Sequence, residues 1–88
     1  MKENIVVQLN ALADKNRLMI IEEISKKGII NCTEAEDIIG LSQPTTSHHI
    51  KILIDAGIIK TKKNGRCLDM SIDKATLQKI SKMLEGLV

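Results

Sequence analysis

Apolar residues recur at helical spacing through the first two-thirds of the chain, and the period changes abruptly after Gly57. Ile5, Leu9 and Leu12 fall on one face of a helix expected over residues 3–13. Asp14 stands where it would cap a second helix, whose apolar positions Leu18, Ile21 and Ile24 repeat at three-residue steps. Gly28 suits the end of that helix. Thr33 and Glu36 read as a T-x-x-E capping box opening a short third helix that carries Ile38 and Ile39. Gly40 supplies a turn, Ser42 an N-cap, and Pro44 sits in the first turn of a fourth helix, where its missing N–H costs nothing. Thr46, Ile50, Leu53 and Ile54 form the buried stripe of that helix.

Beyond Gly57 the alternation has period two. Residues 58–63 and 66–72 flank Asn64-Gly65, a strong signal for a type I′ hairpin turn. Such a turn would set Lys63 opposite Arg66, Lys62 opposite Cys67, Thr61 opposite Leu68, Lys60 opposite Asp69 and Ile59 opposite Met70. Ile59, Leu68, Met70 and Ile72 then face the core, while Lys60, Lys62 and Cys67 share the other face. Asp73 caps a last helix with Leu77, Ile80, Leu84 and Leu87 at 3-4-3 spacing, a seam for another helix. The pattern predicts a mainly α chain with a β-hairpin wing. Five helices and one two-stranded hairpin make a single winged helix-turn-helix domain over residues 1–88.

The fourth helix carries the candidate chemistry. Its outer face presents Gln43, Ser47 and Lys51 in one row, with Pro44 and His48 beside it. That face is rich in donors and acceptors, holds no acid, and begins at a helix N-terminus. It suits a base-pair edge and a phosphate, which marks a DNA recognition helix. A basic hairpin directly after it reads as a wing, although a lysine run can also be a merely solvated face.

Composition sharpens this reading. Phe, Tyr and Trp are absent, so the core is built from Ile, Leu, Val and Met. The stacking platforms of single-strand and RNA binders are missing too, which favours duplex DNA. The net charge of +2 is small, but it is unevenly placed. Residues 1–42 hold five bases and seven acids, whereas residues 43–72 hold Lys51, Lys60, Lys62, Lys63 and Arg66 against Asp55 and Asp69. The positive field lies on the fourth helix and the hairpin. A chain of 88 residues buries only about 60% of its unfolded surface and gains from oligomerising.

Three blocks in order resemble the ArsR/SmtB family of winged helix-turn-helix repressors. They are ALADKNRLMII at residues 11–21, GLSQPTTSHHIKILIDAGII at residues 40–59, and KKNGRCLDMSI at residues 62–72. The resemblance covers nearly the whole chain. It implies base and phosphate contacts from Gln43, Thr45, Ser47 and His48, and a homodimer built from the first and last helices. Lys51, Lys62, Lys63 and Arg66 would add phosphate contacts. The dimer interface would use Ile5, Leu9, Leu12, Leu77, Ile80, Leu84 and Leu87. The partners are therefore operator DNA and a second copy of the chain, with no membrane.

Many family members sense metals, and this chain departs from their ligand patterns. Alignment on residues 40–43 puts Asn31 and Thr33 at the two cysteines of the family's Cys-x-Cys motif, with Cys32 between them. On the last helix Asp73 keeps an acid, but Ala75 replaces the histidine of the zinc-type motif. One thiol and one carboxylate cannot supply three or four ligands, so no metal and no cofactor is expected.

Other residues leave alternatives open. Arg17 either touches phosphate or makes an ion pair or helix-end hydrogen bond. His49 reads as half-buried and hydrogen-bonded within the domain. Cys32 and Cys67 read as free thiols of a reducing cytoplasm, since nothing in the sequence brings them within the roughly 7 Å Cα separation that a disulfide needs. A thiol- or metal-responsive repressor using Cys32 and Cys67 is the first rival reading. A protein-interaction module on the same fold is the second. No carboxylate pair, nucleophile grouping or phosphate-cradling loop supports an enzyme. No stretch approaches the ~20 apolar residues of a membrane span, and the N-terminus lacks the pattern of a signal peptide.

Overall fold

Side-chain caps set where the last four helices begin. A computed structural model of the chain describes residues 5–88, and the expected helix start at residue 3 lies outside them. The order is α1 (Ile5–Leu12), α2 (Lys15–Lys27), β1 (Ile30–Asn31), α3 (Cys32–Ile39), α4 (Gln43–Asp55), β2 (Ile59–Asn64), β3 (Cys67–Ile72) and α5 (Lys74–Glu85). Asp14 caps α2 by accepting from the amides of Asn16 and Arg17, at 3.0 and 3.1 Å. Ser42 caps α4 through the Thr45 amide, and Asp73 caps α5 through the Thr76 amide, as the spacing predicts.

The cap of α3 differs from expectation. Asn31, not Thr33, is the N-cap, and its side chain accepts from the Glu34 amide at 2.9 Å. The Glu34 carboxylate accepts from the Asn31 amide, also at 2.9 Å, which completes a reciprocal capping box. The helix therefore starts two residues earlier than the T-x-x-E pattern implies. Asn is at least as good an N-cap as Thr, and Asn31 is also the last residue of β1, so the strand runs directly into the helix.

The core is aliphatic throughout. Ile20, Ile24, Ile30, Leu53, Ile58 and Met70 are the largest apolar side chains in full burial. On α2 the buried pair is Ile20 and Ile24 at i, i+4, while Leu18 is 44% exposed, so the three-step reading of that helix is corrected. Thr46 is buried among these aliphatics at no polar penalty, because its hydroxyl donates to the Ser42 carbonyl at 2.9 Å.

The sheet has three strands in the order β1-β3-β2, one more than expected. β1 contributes only the pairs Ile30↔Met70 and Asn31↔Asp69, too short for periodicity to reveal. The hairpin turns on Gly65-Arg66 instead of Asn64-Gly65. Positive φ occurs at Gly65, at +64°, and at no non-glycine residue described. A type I′ turn needs two positive φ angles, whereas a II′ turn needs one and places glycine first. Asn64 thereby joins the ladder opposite Cys67, Lys63 pairs with Leu68, Lys62 with Asp69, Thr61 with Met70, Lys60 with Ser71, and Ile59 with Ile72. The register slides by two residues, so the expected faces survive although every expected partner changes.

A second correction concerns the cysteines. Cys32 and Cys67 are bonded as a disulfide with Cα atoms 5.8 Å apart, and neither is free. The bond follows from β1: pairing Asn31 with Asp69 carries the first residue of α3 alongside the first residue of β3.

The α3 cap gives a direct test of this fold. Asn31→Ala should lower the unfolding free energy by about 1 kcal/mol, and Thr33→Ala should leave it within roughly 0.5 kcal/mol. Urea denaturation of both variants distinguishes the two starts, and the opposite ranking would restore the later one.

Candidate nucleic-acid interface

The inner side of α4 is fastened at three points, Thr46, Ile50 and Leu53, all buried. The helical repeat then turns Gln43, Pro44, Thr45, Ser47, His48 and Lys51 outward, and all six are exposed. Thr45 is partly engaged, since the Ser42 hydroxyl donates to its hydroxyl at 2.9 Å. Lys51 pairs with Asp55 at 3.3 Å. Both members of that pair are well exposed, so the contact is weak and exchangeable for phosphate.

A groove of about 280 Å³ runs between α4 and the wing, with α3 at its floor. Gln43, Ser47 and Lys51 line one wall and Arg66 and Leu68 the other. The turn thus brings Arg66 to the same groove as Gln43, Ser47 and Lys51. Lys62 and Lys63 diverge because successive strand residues face opposite ways. Lys63 shares its face with Leu68 and Met70, which line the groove, while Lys62 sits with Lys60 and Ser71 on the other face. Glu36 and Cys32 of α3 also border the groove and were not anticipated there. No spacing signal points to them, because only the tertiary approach of α3 to the wing brings them in.

Arg17 locks the base of α4. Its Nε donates to the Ala11 carbonyl at 2.7 Å and its Nη2 to the Asn10 carbonyl at 3.2 Å, capping the end of α1. Its Nη1 meets Nδ1 of His49 at 3.1 Å. A guanidinium can only donate, so Nδ1 accepts and the imidazole carries its proton on Nε2. The helix-end alternative for Arg17 is the one realised, and His49 is half-buried as expected. Asp14 lies 3.8 Å from the same ring nitrogen. The Arg17 amide bonded to Asp14 holds that carboxyl below its ordinary value near 3.8, helped by the nearby guanidinium and the Asn16 amide. At Glu34 the Asn31 amide does the same, with Lys27 beside it.

Comparison with known proteins places this geometry. A helix-turn-helix domain family model matches residues 12–62. An uncharacterised HTH-type transcriptional regulator of Methanocaldococcus jannaschii is 40% identical over 55 residues, 62% of each chain. An arsenical resistance operon repressor of Staphylococcus xylosus is 40% identical over 57 residues, 65% of this chain and 54% of its own. A crystal structure of an ArsR family transcriptional regulator superposes with a TM-score of 0.85 at 27% identity, covering 93% of this chain and 84% of that one. The chain belongs to the ArsR/SmtB family of winged helix-turn-helix transcriptional regulators. It spans between about half and three-fifths of the length of the first curated relatives it matches.

Asn31 and Asp73, which the resemblance sets against metal-ligand positions of the family, have structural duties. The Asn31 amide oxygen caps α3, and the Asp73 carboxylate caps α5. Among the described residues, no group of three or more His, Cys, Asp or Glu side chains could hold a metal ion.

The Asp14 cap carries a pH signature. A carboxyl with a depressed folded-state pKa contributes stability above its unfolded value, and that contribution is lost as pH falls through the folded value. Asp14→Asn keeps an N-cap acceptor but cannot titrate. Its stability should therefore fall less steeply than wild type on acidification below about pH 5. Thermal melts across that window check this, and parallel acid limbs would remove Asp14 from the account.

Proposed function

We propose that the chain is a homodimeric, sequence-specific DNA-binding repressor of the cytoplasm, without the metal sites of its relatives and without enzymatic activity. On this reading residues 1–88 form one DNA-binding domain flanked by dimerisation helices. The observation that carries it is the exposed row of Gln43, Ser47 and Lys51 on α4, set opposite Arg66 across one groove. α4 enters the major groove, Gln43, Thr45, Ser47 and His48 meet base edges and the nearest phosphates, and Pro44 packs against the backbone or bases at the helix start. Lys51, Lys63 and Arg66 neutralise phosphates on the groove side, with Lys62 reaching the flanking backbone. Relatives named as operon repressors support the repressor reading. No helix among the described residues is long and apolar enough to cross a membrane.

The dimer reading rests on exposed aliphatics at the two ends of the chain. On α5, Ile80 is buried and Leu77 half-buried against the protomer's own core, so only part of the 3-4-3 seam is available to a partner. Leu84 and Leu87 are 44% and 75% exposed. On α1, Ile5, Leu9 and Leu12 pack against the same core, while Val6 and Val7 are exposed. The interface therefore centres on Leu84 and Leu87, with Val6 and Val7 joining the α1 stripe. Each large aliphatic covered by a partner contributes about 1.5–3 kcal/mol.

The dimer should bind an imperfect palindrome with half-site centres ~10–11 bp apart. Ser47→Ala and His48→Ala should relax base preference by about 1–3 kcal/mol at the positions they read. Arg66→Ala should weaken every sequence and shrink the salt slope by ~0.9. Anisotropy titrations between about 50 and 200 mM salt measure both, and a wild-type affinity independent of salt would exclude the mechanism.

Leu84→Arg touches no DNA contact, yet it should split the dimer and abolish operator binding. Sedimentation decides this: a wild-type mass of one chain at micromolar concentration refutes the dimer.

A further inference from the structure

The Cys32–Cys67 bond ties β3 of the wing to α3, which borders the recognition groove. Cys32 is the first residue of α3 and Cys67 the first of β3, immediately after Arg66. Cys32 borders the same groove as Gln43, Ser47, Lys51 and Arg66. The wing tip has little else to hold it. β1 pairs with β3 only at Met70 and Asp69, so beyond Asp69 the sheet narrows to two strands. Residues 60–66 are exposed throughout, and between Arg66 and Asp69 the half-buried Leu68 is the apolar side chain that packs against the core. A two-stranded ribbon without a packed face is marginal in water.

We propose that Cys32 and Cys67 form a reversible thiol–disulfide pair that sets the wing against α4 and so tunes DNA affinity. The proposal rests on the DNA-binding reading above. A disulfide in a reducing cytoplasm is typically transient and redox-sensing instead of structural. Both cysteines are half-buried instead of sealed in the core, and Cys32 borders the open groove, which leaves the bond within reach of small thiols. The oxidant is a low-molecular-weight disulfide such as oxidised glutathione. One cysteine thiolate attacks it, forms a mixed disulfide and releases one small thiolate. The second cysteine thiolate then attacks the protein sulfur of the mixed disulfide and displaces the other. The two protein thiols lose two protons and two electrons, and the oxidant becomes two thiols. A dithiol reverses the sequence.

The oxidised form binds DNA more tightly. Its wing is already ordered over the groove, with Arg66 and Lys63 in place, whereas the reduced wing must be ordered on binding. The opening of the tip on reduction is local, since the caps and core that hold α4 involve neither sulfur.

The test equilibrates the full chain in glutathione buffers of graded redox ratio. Alkylation and mass measurement count free thiols, and anisotropy measures affinity for a duplex carrying the sequence immediately upstream of the coding region. Both thiols should disappear together as an intramolecular pair, and Kd should fall about tenfold in the oxidised state. Cys32→Ser and Cys67→Ser should each sit at the reduced value in every buffer. Because either variant could unfold, reduced wild type serves as the second reference. In Arg66→Ala the redox effect should shrink, since that side chain is one of those being positioned.

Equal affinity in both states would overturn the proposal, as would thiols that stay unreacted or form only mixed or intermolecular disulfides. Absence of binding in both states would count against the DNA-binding reading itself. Hydrogen exchange over residues 61–68 then still decides the switch: greater protection when oxidised supports it, and equal protection refutes it.

Discussion

Arg17 grips three segments at once: the end of α1 through the carbonyls of Asn10 and Ala11, its own helix, and α4 through His49. A small core without aromatics has few large surfaces with which to orient its helices, so a multidentate guanidinium at a junction matters more than in a larger domain. With α4 held there and by the burial of Thr46, Ile50 and Leu53, its outer face is determined by the helical repeat alone. The polar row of Gln43, Ser47 and Lys51 is therefore presented as a rigid set, which suits a contact surface that must keep register with a duplex.

The wing is built on the opposite principle. Its base is sheet and core, through Ile59, Met70 and the short β1, while its outer half is exposed polar ribbon. The rigid half of the interface and the loosely supported half meet at one groove, and the Cys32–Cys67 bond ties the wing to α3 at its border. Affinity at such a site depends on how much of the loose half is ordered before binding. That dependence makes a covalent tie at this position consequential.

Much of this was legible in the chain, for reasons that explain the exceptions. Ser42, Pro44 and the Thr46–Ile50–Leu53 stripe carry local signals with a definite period, and α4 lies where they place it. Asp14 and Asp73 act at short range and also stand as read. The errors lie where two local solutions compete or where the chain meets itself at long range. Asn31 and Thr33 both precede a suitably spaced acid, and contact with β3 through β1 favours the earlier start. Asn64-Gly65 and Gly65-Arg66 are both acceptable turns, and the second lets Asn64 pair and donate to Asp69 at 3.2 Å. The disulfide depends on a strand of two residues that has no period to detect. The partial covering of the α5 seam likewise reflects packing that spacing cannot apportion between core and partner.

The central claim is that α4 and the groove side of the wing together form the DNA surface. Amide chemical-shift mapping of the isotope-labelled chain, titrated with duplex DNA, tests this most directly. The largest perturbations should fall on Gln43, Thr45, Ser47, His48 and Lys51 and on the turn at Gly65 and Arg66, with the exposed side of α2 left unchanged. Perturbations concentrated on α2 and α5, with α4 silent, would contradict it.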